Sequence, residues 1–173
     1  MNYYTLNLDM KVNKYFYLHE FVSPSLLAQK NPERFITPQM IGAATVIREH
    51  FNRPVKINSY GFFCAYLEAA MRSIYQKNRG ARHYLSQPKN GATYSDHLYG
   101  NAIDFNVSGV SDAEVYAEIC LGSSLYKKLN DASGVNTIED IEYTPGWIHI
   151  ARRPRLIAGE FHYKIEKPTI IKP

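Results

Sequence analysis

The chain has 173 residues, of which 45% are hydrophobic and 21% are charged, and its formal net charge is +4. This length suits one domain whose core needs no disulfide framework, so the two cysteines, Cys64 and Cys120, are expected to be free thiols. No apolar run is long enough to cross a membrane. The small positive charge is compatible with an anionic polymer as partner, although an ordinary solvated surface explains it equally well.

The first half of the chain predicts a helix, a strand and a second helix. The segment TPQMIGAATVIREHF begins with Thr37 as candidate N-cap and Pro38 at the first helical position. Its apolar residues recur at helical spacing (Ile41, Ala44, Ile47 and Phe51). The alternating segment VKINSY is typical of a strand, and FFCAYLEAAMRSIYQKN predicts another helix.

The second half predicts strands that each carry a polar residue on one face. In NAIDFNV, alternation separates Asp104 from the apolar face (Ile103, Phe105 and Val107). Ser111 and Glu114 have capping-box spacing, so a helix is expected to begin there. The segments IEDIEY and WIHIARR predict a hairpin, with His149 on the open face of its strand, as Asp104 is on its own. The fold class expected is α+β, with a small antiparallel sheet and helices packed on one side.

Three residues with metal-binding side chains lie on or beside these strands. His97 precedes the first strand, Asp104 lies within it, and His149 lies within the last. A catalytic zinc site typically has three protein ligands and leaves a fourth position for water. These residues form such a set if neighbouring strands bring Asp104 and His149 together and a turn folds His97 over them. A loop histidine and a strand-edge carboxylate are the alternative interpretation of the same spacing.

The full pattern resembles that of the M15 family of zinc peptidases. It reads Ser-x-His-x-x-Gly-x-Ala-x-Asp over residues 95–104 and Trp-x-His over residues 147–149. The family contains D-Ala-D-Ala carboxypeptidases and phage L-alanyl-D-glutamate endopeptidases, and the likeness is closest to its short phage and bacterial branch. The segments YLHEFVSPSL, VIREHFNRPVKINS, NGATYSDHLYGNAIDF and IEDIEYTPGWIHIARRP extend the resemblance, in matching order, over residues 15–155.

This resemblance implies a hedgehog/DD-peptidase-like fold and a bound zinc ion. The implied zinc ligands are His97, Asp104 and His149. Ser95 and Trp147 are candidates for contact with the substrate, although Ser95 is as well explained as a residue that caps the turn.

Hydrolysis of an amide also requires a base that takes a proton from water and passes it to the leaving amine. The short branch usually has a glutamate before its Trp-x-His element, and Glu142 is the nearest match, with Asp140 and Glu139 as substitutes. A solvated strand charge is the alternative interpretation of Glu142. Many family members place an acid three residues before the last histidine, where this chain has Gly146.

A second departure from the family concerns an arginine. After the first strand the family usually continues Gly-Tyr-Arg, and that arginine holds the substrate carboxylate or the developing oxyanion. This chain reads INSYGFFCAYLEAAMRSIYQKN and has no arginine at that place. Arg72, Arg79 and Arg82 of the inserted segment are candidates to replace it, and surface charge is their alternative interpretation.

Taken with the resemblance, these features predict a zinc metallopeptidase, a cell-wall hydrolase that cuts an amide bond in peptidoglycan stem peptides. The expected organisation is a leading arm (1–14), a peptidase domain (15–155) and a C-terminal tail (156–173). The start of the chain lacks the pattern of a signal peptide, so we expect synthesis in the cytoplasm. A phage endolysin that is released at lysis would fit this expectation. A virion component in contact with other virion proteins would fit it as well. The alternative is a non-catalytic structural or binding module of a phage particle that retains the fold. No motif points to nucleic acid.

Overall fold

The computed structural model of the protein describes residues 8–22, 24–28, 30–58, 96–121, 124–157, 160–162 and 167–172. The helices in these ranges are α1 (Pro24–Leu27), α2 (Pro38–Phe51), α3 (Asp112–Cys120) and α4 (Ser124–Ser133). Short 3₁₀ turns lie at Leu18–Glu20, Pro32–Phe35 and Asp96–Tyr99. None of the helices in the described ranges has the length and apolar character needed to cross a membrane. The helix predicted over residues 62–78 lies outside these ranges.

The helix predicted after Thr37 is confirmed as α2. Pro38 occupies its first position, where a residue without an N–H group loses no hydrogen bond. The helix buries one face in the core (Met40, Ala43, Ala44 and Ile47). Ile41 and Phe51, which the sequence spacing placed on that face, are half-buried at its margins. The predicted core-facing helix is therefore correct, with its buried face rotated slightly.

Two further helices follow the strand β2 (Ala102–Val107). Ser111 and Glu114 form the predicted capping box of α3, because Ser111 Oγ accepts from the Glu114 N–H at 3.2 Å and the Glu114 carboxylate accepts from the Ser111 N–H at 2.9 Å. The sequence patterns did not predict α4. Leu125 and Leu129 lie one turn apart on α4 and are fully buried, and α4 packs against α2.

Five strands form one sheet in the order β1-β2-β4-β3-β7. They are β1 (Val55–Ile57), β2 (Ala102–Val107), β3 (Thr137–Glu139), β4 (Ile148–Ala151) and β7 (Thr169–Ile171). The pairs β1/β2, β2/β4 and β3/β4 are antiparallel, but β7 runs parallel to β3. The sheet is therefore mixed rather than antiparallel, and the α+β class is confirmed. Strands β5 (Arg155–Ile157) and β6 (Glu160–His162) form a separate pair.

Both segments predicted as extensions of the domain make contacts with it. Within residues 156–173, β7 adds an edge strand to the sheet, because the Thr169 N–H donates to Asn136 O and the Asp140 N–H donates to Ile171 O, each at 2.8 Å. Parallel pairing needs a long connection, and β5 and β6 lie within that connection. In the leading arm, Met10 packs against the core and its carbonyl accepts from the Leu18 N–H at 2.8 Å.

The two faces of the sheet have different chemistry. One face supplies the core with isoleucine and phenylalanine side chains (Ile103, Phe105, Ile138, Ile148 and Ile150), against which α2 and α3 pack. The opposite face carries Ala102, Asp104, His149 and Ala151, and these four residues are buried as well. The sequence alternation predicted both faces correctly. It was wrong in describing the polar face as open at Asp104 and His149.

The hairpin before β4 has a shorter first strand than the sequence predicted. IEDIEY was expected to be a strand over residues 138–143, but β3 ends at Glu139 and residues 141–143 form a turn. The Asp140 side chain contributes to this change, because its Oδ1 accepts from the Glu142 N–H at 3.1 Å and so favours a turn over a ladder.

Candidate metal centre

The β2/β4 ladder sets Asp104 directly opposite His149. Paired residues of antiparallel strands project to the same face of the sheet. Asp104 Oδ1 lies 2.7 Å from His149 Nδ1, so the carboxylate and the imidazole are in hydrogen-bond contact. The condition stated from the sequence, that these two strands be neighbours, is met.

His97 reaches the same point from the 3₁₀ turn Asp96–Tyr99, which precedes β2. His97 Nε2 lies 3.3 Å from Asp104 Oδ1 and 3.2 Å from His149 Nδ1. The two imidazole rings meet edge to face at 64°, with 5.0 Å between centroids. All three residues are buried, with exposed fractions of 3% for His97, 6% for Asp104 and 7% for His149. Three donor atoms from three parts of the chain therefore converge on one buried point.

The turn that carries His97 is fixed by Gly100. Its φ is +64°, and a Cβ at this position would lie 2.8 Å from the carbonyl oxygen of Phe35. The Gly100 carbonyl oxygen accepts from the Thr37 hydroxyl at 2.8 Å and from the Thr37 N–H at 3.2 Å. Only glycine allows this approach without displacing the backbone, since glycine has no Cβ and tolerates a left-handed φ. The Thr37 hydroxyl thus ties the turn to the start of α2 instead of capping that helix.

The cluster favours the ionised form of its carboxylate. Burial alone raises the pKa of Asp104, but the charge of His97 and the hydrogen bond from His149 outweigh burial and hold the pKa well below its usual range. Asp104 is thus an anion next to two imidazoles. A carboxylate must be ionised in this way to bind a metal ion. His97 Nδ1 is buried and has no hydrogen-bond partner within the described residues.

The donor set and its spacing fit a metal ion. In a tetrahedral zinc site with bonds of about 2.0–2.1 Å, two ligand atoms lie about 3.3 Å apart. The two distances from His97 Nε2, 3.2 Å and 3.3 Å, are close to that value. The 2.7 Å contact of Asp104 with His149 is shorter and would open on binding. The buried group of His97, Asp104 and His149 can therefore bind a metal ion.

The remaining predicted site residues lie at different distances from this cluster. Trp147 is half-buried and directly precedes β4, two residues before His149. Glu142 is exposed in the turn after β3. Ser95 and the three candidate arginines lie outside the described residues.

Glu139 is an acidic residue that follows directly on the β3/β4 ladder. This ladder pairs Thr137 with Ala151 and Ile138 with Ile150, and its register continued by one residue would set Glu139 opposite His149. Residues in that relation project to the same face, with Cβ atoms about 4.5–5.5 Å apart. Glu139 is half-buried. His149 thus has Asp104 as its partner on β2, and the continued register would place Glu139 beside it on β3.

A polar network next to the cluster was missed by the sequence reasoning. Asn58 Nδ2 donates to Asn106 Oδ1, and Asn106 Nδ2 contacts Asp112 Oδ1 at 2.8 Å and Gly146 O at 2.9 Å. The alternation of NAIDFNV already put Asn106 on the face of Asp104, and this was the available signal. No local signal indicated the ion pair of Asp96 with Arg153, which joins residues 57 positions apart.

Comparison with protein-family models gave no matching family, and comparisons with curated proteins and with solved structures gave no match.

Proposed function

We propose that the protein is a zinc-dependent peptidase with a hedgehog/DD-peptidase-like fold that hydrolyses an amide bond in peptidoglycan stem peptides. The observation that carries this proposal is the convergence of His97 Nε2, Asp104 Oδ1 and His149 Nδ1 within 3.3 Å of one another. The order of the Ser-x-His-x-x-Gly-x-Ala-x-Asp and Trp-x-His patterns supports the substrate class by resemblance. A phage endolysin or a virion-associated lytic protein would have this activity.

His97, Asp104 and His149 would hold the zinc ion. Zinc bound by three protein ligands acts as a Lewis acid towards a carbonyl group and lowers the pKa of water. The chain itself supplies a dry setting, because Ala102 and Ala151 flank the pair of β2 and β4 ligands and are fully buried.

Proton transfer in this proposal is assigned to Glu139. Its carboxylate would accept the proton of the attacking water and donate it to the leaving amine. The β3/β4 register and its half-buried position on the ligand face favour Glu139. Glu142, the first candidate from the sequence, is exposed in the turn after β3. Both carboxylates remain in the test, because a glutamate in a turn can also reach a bound substrate.

The test is digestion of purified sacculi by the zinc-loaded protein. Cleavage of an amide releases new amino groups without new reducing ends, whereas new reducing ends would indicate a glycosidase. Glu139→Gln is expected to lower the rate by about 10²–10⁴-fold, the usual effect of losing a general base, at unchanged zinc content. Glu142→Gln is the matched control and should retain the rate. The reverse result would assign proton transfer to Glu142.

A second function, a non-catalytic structural or binding module of a phage particle, is favoured by one observation. Gly146 stands where many family members have an acid, and its carbonyl oxygen is engaged by Asn106 at 2.9 Å. The position is thus built into a structural contact. A wild-type protein that holds zinc and releases nothing from sacculi would support this second function over the first.

A further inference from the structure

The turn that carries His97 is attached to the chain that leaves β4. Arg153 Nε donates to Asp96 Oδ2 in an ion pair, next to His97 in sequence. The Arg152 N–H donates to the carbonyl oxygen of Asn101 at 2.9 Å, at the other end of the same turn. The side chains of Asp96 and Arg153 are 18% and 37% exposed, so solvent screens this pair less than a fully exposed one.

The arginine is itself held by a rigid support. The Arg153 N–H donates to Asn136 Oδ1 at 2.9 Å, and Asn136 Nδ2 donates back to the Arg153 carbonyl oxygen at 2.6 Å. Asn136 has an exposed fraction of 0%. Its own N–H donates to Ala151 O at the end of β4, at 3.1 Å. Arg153 is therefore fixed relative to the strand that supplies His149.

Within the part of the chain that the structure describes, the His97 imidazole has no partner for its second ring nitrogen. A metal-bound histidine almost always donates its second ring N–H to a carboxylate, a carbonyl or water, and this contact fixes the ring. His97 Nδ1 has no such partner within the described residues. Among the described residues, the contacts that hold the turn carrying this ring are made at Asp96, at Gly100 and at Asn101.

We propose that the ion pair of Asp96 and Arg153 is the device that positions His97 as a ligand and thereby sets the metal affinity of the site. The inference rests on the metal site of the proposed function. Asp96 and Arg153 are positioning residues, since they act through the turn and touch none of the three donor atoms. The pair connects the His97 turn to the β4 segment, so it fixes one ligand relative to another.

The experiment has two measurements. Competition with a chromophoric chelator gives the zinc affinity, and the visible absorption of the Co²⁺-loaded protein reports the coordination of the metal. Arg153→Ala and Asp96→Asn are each expected to weaken zinc binding by about 10–100-fold, the usual cost of losing the contacts that orient a ligand. The double variant should bind no more weakly than either single variant, because both remove one interaction. Arg153→Lys should recover part of the affinity. The Co²⁺ absorption of Arg153→Ala and Asp96→Asn should fall, as expected when one ligand is displaced.

The control is Lys127→Ala, which removes an exposed ion pair with Asp131 on α4, 2.6 Å long, and should leave zinc affinity unchanged. Circular dichroism identifies any variant that does not fold, and Asp96→Asn, which keeps the side-chain shape, decides the outcome if Arg153→Ala is lost. Zinc affinity equal to wild type in folded Asp96→Asn would overturn the inference, even if the unfolding temperature fell. A wild-type protein that binds no zinc would instead overturn the metal site of the proposed function, and the inference with it.

Discussion

Replacing Gly100 with alanine is expected to destabilise the protein by more than the same change at Gly109. Both glycines have a left-handed φ, +64° at Gly100 and +72° at Gly109. Alanine in that conformation costs about 1–2 kcal/mol at either position. The two sites differ in their surroundings, because a Cβ at Gly109 would meet no atom of the described residues within 4 Å. The comparison therefore separates the free-energy cost of the left-handed backbone conformation from the cost of the close contact at Gly100.

The additional cost at Gly100 comes from three backbone atoms. An added Cβ would lie 2.8 Å from Phe35 O, 3.0 Å from Ile36 Cα and 3.2 Å from Thr37 N. No flexible side chain is available to move aside, so the segment before α2 or the turn itself must shift. Overpacking of this kind costs about 1–3 kcal/mol. The total for Gly100→Ala is then about 2–5 kcal/mol, the sum of the strain and overpacking costs.

The assay is equilibrium unfolding in urea with a chelator present, so that metal binding does not contribute to the free energy of unfolding. Equal m-values for the three proteins would show that the variants unfold to comparable states. A Gly100→Ala variant within about 0.5 kcal/mol of Gly109→Ala, the usual size of a neutral surface change, would refute the close approach of the turn to Phe35.

Three further predictions concern the metal site, a helix cap and a cysteine. Asp104→Ala should lose the metal, so elemental analysis after dialysis against zinc should fall from about one ion per chain to a trace, and equal zinc in both proteins would contradict the ligand assignment. Ser111→Ala should lower the free energy of unfolding in urea by about 1 kcal/mol, whereas an unchanged value would mean that the capping box contributes nothing. Burial, reinforced by the charge of Asp140, raises the pKa of the Cys120 thiol. In a Cys64→Ser variant, alkylation of Cys120 at pH 8 should therefore be slower than alkylation of free cysteine. An equal rate would disprove the raised pKa.

The faces on which Asp104 and His149 lie could be predicted from the sequence, because they depend on short-range patterns. Alternation in NAIDFNV and WIHIARR assigns each polar residue to one face, and a hairpin turn near Gly146 predicts that the strands on either side of it, β3 and β4, are antiparallel. The structure confirms both faces and the antiparallel β3/β4 pair, whereas the pairing of Asp104 with His149 in the β2/β4 ladder was only a condition of the predicted site. What the patterns did not give is strand order, since β4 lies between β2 and β3.

The burial of the ligand face and the edge strand could not be predicted, because both depend on contacts between distant segments. The turn over the cluster is placed by the bond from the Thr37 hydroxyl to Gly100, 63 positions away. Strand β7 (Thr169–Ile171) contains three residues, and Ile170 is 48% exposed, so its sequence carries too little apolar signal to distinguish it from a tail. Helix α4 is a different case, because Leu125, Tyr126 and Leu129 are buried at helical spacing among polar neighbours, and this amphipathic pattern was an available signal.

The three candidate ligands are held by two separate structural elements, and this predicts the order in which they should be lost when the protein is destabilised. Asp104 and His149 belong to adjacent central strands, so their separation changes only if the ladder itself opens. His97 depends on a turn tied to α2 and to Arg153 by side-chain and backbone contacts. Opening a turn costs less than opening a central ladder. Mild destabilisation should therefore release His97 first and leave a weaker two-ligand site, which would appear as a loss of zinc affinity before any loss of sheet structure.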